Sequence, residues 1–63
     1  MEKIDWCGYV GPFVVADFYD TTHRIDVRDA NDDTVSNHYC RGASFAHTVC
    51  AALNALWEKE QSQ

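Results

Sequence analysis

No apolar run in the chain approaches the roughly 20 residues of a membrane-spanning helix, and no secretory apolar region follows Met1. Basic residues are scarce: five Lys and Arg stand against ten Asp and Glu, for a formal charge of -5. Nucleic-acid binding needs clustered Lys and Arg to neutralise phosphates, so direct contact with DNA or RNA is not expected. The three cysteines, Cys7, Cys40 and Cys50, are too few and odd in number for a disulfide framework. We therefore expect a cytoplasmic protein with reduced thiols, each a small buried hydrophobe, with a Cys7 to Cys40 disulfide as the alternative.

What is present is enough to fold. An apolar share of 46% argues against disorder. Sixty-three residues make one domain, and a chain this short buries only about 60% of the surface its unfolded form exposes. Small domains offset that deficit with disulfides, a metal or self-association, and a homodimer is the form expected here.

The hydrophobic pattern divides the chain in three. Residues 1–12 read as an N-terminal arm carrying Trp6 and Tyr9, with a turn signal at Gly11 and Pro12. Residues 13–41 read as a β-meander. "FVVADFY", Phe13 to Tyr19, is β-branched and aromatic. "HRIDVRD" alternates, with His23, Ile25 and Val27 on one side and Arg24, Asp26 and Arg28 on the side facing water. "TVSNHYC" repeats the alternation through Val35, Asn37 and Tyr39. From Ser44 the period lengthens to that of a helix over 44–60, with Phe45, Val49, Leu53, Leu56 and Trp57 in one apolar stripe and Ser44 as its N-cap. The fold expected is α+β: a three-stranded antiparallel meander followed by one C-terminal helix packed on one face. The core expected is Ile25, Val27, Val35, Tyr39, Phe45, Val49, Leu53 and Leu56. The uncovered face, with Val14 or Phe18 and Trp6 or Trp57 nearby, would be an apolar patch available to a second copy.

Candidate chemistry is sparse. "DANDDTV" places Asp29, Asn31 and Asp33 at alternate positions, as a calcium loop does. The loop would need Gly at its sixth position and Glu at its twelfth, where Thr34 and Cys40 stand, so a hairpin turn is the reading, with positive φ at Asn31 or Asp32. His23, His38, Cys40, His47 and Cys50 offer zinc ligands, but no C-x-x-C pair nucleates a site. His38 and Cys40, two apart on a strand, lack the orienting third group that an activated thiol needs. No cofactor, metal or catalytic residue is expected, and a 7.2 kDa domain has little room for a substrate cavity.

The order "GPFVVADFY…IDVRDANDDTVSN…ASFAHTVCAALNALWE" resembles small accessory proteins of tailed bacteriophages over roughly Gly11 to Glu58. Val27, Asp29, Ala30 and Val35 match a "V-x-D-A-x-G-x-x-V" hairpin, and Ala51, Ala52, Ala55 and Leu56 match its alanine-rich helix. Asp32 or Asp33 stands where that pattern has Gly. The resemblance brings no catalytic residue. It implies a non-enzymatic protein that binds and inhibits or redirects a host protein, such as a defence factor, in the host cytoplasm.

Six acids, Asp17, Asp20, Asp26, Asp29, Asp32 and Asp33, crowd a segment whose only counter-charges are Arg24 and Arg28. Charge complementarity makes a host protein with a basic surface the expected partner. The contact residues expected are Asp26, Asp29, Asp32 and Asp33 on a solvent-exposed hairpin, with Tyr19 and Trp57 as aromatic anchors. A zinc-stabilised structural module and a small subunit of a larger assembly are the alternatives.

Overall fold

A computed structural model describes residues 3–18 and 23–62. Three strands, β1 (Val14–Phe18), β2 (Arg24–Arg28) and β3 (Thr34–His38), form an antiparallel sheet in the order β1-β2-β3. A 3-10 turn, Cys40–Ser44, then leads into helix α1, Phe45–Gln61, which packs on the sheet. This is the α+β arrangement that the change of period at Ser44 predicts.

Sheet register explains which side α1 covers. Val15 pairs with Val27 and Asp17 with Ile25, so Val15, Ile25 and Val27 share the helix-facing side. Val27 is completely buried there with Phe13, Ala46 and Cys50, and Trp6, Tyr9, Val35, Val49, Leu53 and Trp57 pack around them. The core is thin. Phe13 and Val27 are its only large apolar side chains that are fully enclosed among the described residues.

The arm, and Phe13 that follows it, are tied to α1. Trp6 stacks on Phe13 at 5.5 Å between ring centroids and meets Trp57 edge-on at 5.2 Å. Its indole N–H donates to Glu60 Oε2 at 2.6 Å. Asn54, on α1, then treats Phe13 as a neighbouring strand would: its Oδ1 accepts from the Phe13 amide at 2.6 Å and its Nδ2 donates to the Phe13 carbonyl at 2.8 Å. Gly11 lies between these contacts. A β-carbon there would sit 2.5 Å from the Trp57 ring, so only glycine lets the chain pass so close.

Several expectations are corrected. Tyr39, Phe45 and Leu56, expected inside, are exposed. For Tyr39 the cause is a bulge: Arg28 pairs with Thr34 but Val27 with Ser36, which leaves Val35 as an extra residue. Beyond it Ser36 and His38, not Asn37 and Tyr39, share the face of Ile25 and Val27, because one residue of slip exchanges the two faces. Phe45 and Leu56 lie at one margin of an apolar stripe broader than the small sheet can cover. Ser44 makes no side-chain cap; it is already helical at φ -65° and ψ -25°, and the 3-10 turn before it changes how the helix begins. Finally, the uncovered face of the sheet carries Arg24, Asp26 and Arg28 beside the exposed Val14, and not tryptophan, since Trp6 and Trp57 belong to the helix-side cluster.

Candidate binding surface

The hairpin between β2 and β3 is built around one carboxylate. Asp29 is 2% exposed. Its Oδ1 accepts from the amides of Asn31 at 3.0 Å and Asp33 at 2.9 Å, and its Oδ2 from the amide of Val10 at 3.0 Å. Burial pushes this carboxyl up, but the amides of Val10, Asp33 and Asn31 together outweigh it and hold the group below the ordinary carboxylate value. The Asp29 amide donates to the Asp33 carbonyl and the Ala30 amide to the Val10 carbonyl, so these two neighbours close the turn and fasten the arm to it. Asp32, one of the two positions expected to take positive φ, adopts φ 65°. Aspartate tolerates that left-handed conformation better than most residues.

The four expected acidic contact residues therefore separate into two pairs. Asp32 and Asp33 are exposed at the tip, Asp32 with 77% of its side chain in solvent. Asp29 and Asp26 are buried, Asp29 within the turn and Asp26 beneath the arginines of the outer sheet face. Asp26, 2% exposed, lies between the two arginines of its own strand face: Arg24 Nε is 3.2 Å from Oδ1 and Arg28 Nη2 3.5 Å from Oδ2. Residues two apart on a strand project side by side, so the two arginine side chains flank the carboxylate and keep water from it. Arg28 also reaches Asp32 at 3.0 Å, which joins the ladder to the hairpin tip. Of the two expected aromatic anchors, Tyr19 lies outside the described residues, and Trp57 is half-buried, 6.2 Å from Phe13 and edge-on to it.

The buried thiol and one imidazole have partners of their own. All three cysteines are free, and the expectation that each is buried holds for Cys50 alone, since Cys7 and Cys40 are exposed. Cys50 donates to the Phe13 carbonyl at 3.3 Å, and burial pushes its thiol up. The Asp5 carboxylate raises the Cys7 thiol as well, the opposite of what a reactive thiolate requires. His38 Nε2 is 2.9 Å from Ser36 Oγ, and its ring meets Phe45 edge-on. Among the described residues no three His, Cys, Asp or Glu side chains converge as metal ligands. None of the described helices is long and apolar enough to cross a membrane.

Asn54 is the residue that the sequence reading passed over. Its signal was there: an amide four residues after Cys50 and three before Trp57, both on the buried side of the helix, has to find a backbone partner. The second feature missed is the outer flank of α1, where Phe45 is 58% exposed and Leu56 43%, with Ala52 and Ala55 open to solvent beside them. Neither known protein families, nor curated proteins, nor solved structures provide a match to this chain. Its surface has to be read from chemistry.

Proposed function

We propose that this protein acts by binding, as a non-enzymatic accessory protein of the phage type that occupies a basic surface on a host protein in the host cytoplasm and inhibits or redirects it. The observation that carries the reading is the construction of the hairpin tip. Asp32 and Asp33 project from a turn fixed from within by Asp29, so the acidic tip is ordered before any partner arrives. A preorganised loop loses little conformational freedom on docking, and its charge steers approach to a basic partner. Asp26 and Asp29 have no part in that contact; they hold the scaffold. The thin core favours association in general, and a homodimer is the simplest form of it.

The test is recovery of tagged protein from a bacterial lysate with identification of what accompanies it, beside an Asp32→Lys/Asp33→Lys variant. The variant should lose the partner in low salt while keeping its far-ultraviolet spectrum, and the parent's association rate should fall as salt rises. Equal partner recovery by the two proteins in low salt would show that the tip is merely solvated.

A further inference from the structure

All ten acidic residues of the chain lie outside Thr34 to Trp57, the stretch that forms β3, the 3-10 turn and most of α1. The outer flank of α1 up to Trp57 thus offers a surface where two chains of charge -5 can approach without opposing carboxylates. Along that flank Phe45, Val49, Ala52 and Leu56 recur at intervals of four, three and four residues. This 3.5-residue period makes a seam for a second helix, distinct from the helix face that meets the sheet. Phe45, Ala52 and Leu56 are exposed, and Val49 is partly so because it also touches the core.

The seam is complementary to itself. With two copies of α1 antiparallel about a two-fold axis between Val49 and Ala52, Phe45 of each meets Leu56 of the other, and each Val49 meets Ala52. Large residues then close the two ends, and the small alanine admits valine near the axis. We infer that a second copy of this chain docks on the Phe45, Val49, Ala52 and Leu56 seam of α1. This deepens the self-association just proposed and moves it from the face of the sheet to the helix. One helix face per protomer puts the contact at the small end of the interface size classes.

Sedimentation equilibrium across micromolar concentrations tests this with four proteins. The parent should approach twice 7.2 kDa. A Phe45→Glu/Leu56→Glu variant should raise the dissociation constant at least about tenfold. Ala52→Arg, which leaves both large residues in place, should do the same if the double variant folds poorly by circular dichroism. Asp32→Lys/Asp33→Lys should remain dimeric, which keeps the result separate from hairpin recognition. A parent that stays monomeric overturns self-association itself. A dimer that survives both helix variants, or that the hairpin variant dissociates, overturns the seam.

Discussion

At the scale of the residue, Asp29 decides more than its place in a turn suggests. Its carboxylate is held below the ordinary value in the folded chain, so the folded state binds its proton less readily than the unfolded one. The stabilisation is complete above the unfolded value of roughly 3.9 and is lost as pH falls from there through the lower folded value. An acid titration followed by circular dichroism should therefore show an unfolding component below about pH 4 that Asp29→Asn removes. That variant should also melt lower at neutral pH than Asp33→Asn, whose side chain is exposed. Asn54→Ala removes a hydrogen-bond partner from both the Phe13 amide and the Phe13 carbonyl, and should cost about 2 kcal/mol in a denaturant melt. Gly11→Ala should be harsher than an ordinary loop substitution, because the intruding carbon meets the face of Trp57. Only part of this could be read beforehand. The Asx spacing of Asp29, Asn31 and Asp33 announced the turn, and positive φ at Asp32 came with it. That the second carboxylate oxygen reaches Val10, 19 residues away, depends on how the arm folds back, and no local pattern encodes it.

Elements were legible where period was the signal and illegible where faces were. β1, β2, β3 and α1 each fall within a residue or two of the runs that predict them, since alternation and helical spacing are local properties. Which side of α1 is buried depended on the width of the sheet beneath it. Val49, Leu53 and Trp57 turn toward the core, and Phe45 and Leu56 are left outside. The apolar stripe thus makes two surfaces out of what looked like one. Its two sides should separate by mutation. Trp57→Ala breaks the cluster with Trp6 and Phe13 and should cost about 3–5 kcal/mol, enough to unfold so small a domain. Leu56→Ala, one position away, should cost less than about 1 kcal/mol, because much of its side chain is already in water. A comparable loss at both positions in urea denaturation would mean that the helix is rotated relative to the sheet. In β3 the bulge at Val35 defeated simple alternation; one additional residue is invisible to a period-two reading.

For the whole molecule, charge is segregated: an acidic hairpin with Asp32 and Asp33 at its tip, and a helix flank free of acids as far as Trp57. Adding a chelator should leave the thermal midpoint where it was; a fall of more than a few degrees would make zinc the better account of how so thin a core survives. The composition foretold an acidic small domain, and it could not foretell that Asp26 and Asp29, half of the expected acidic contact set, would be buried. The aromatic cluster has an optical consequence. Both tryptophans of the chain, Trp6 and Trp57, lie in it, one from the arm and one from the helix. Intrinsic fluorescence is therefore a local gauge of whether the arm is seated on α1, with no emitter of that kind in the sheet. Two indoles at 5.2 Å should also couple their transitions and give a paired near-ultraviolet dichroism band. Loss of that band ahead of the helical signal on heating would show the arm lifting away while the sheet and helix remain joined, a partial opening that a single-probe melt would record as complete unfolding.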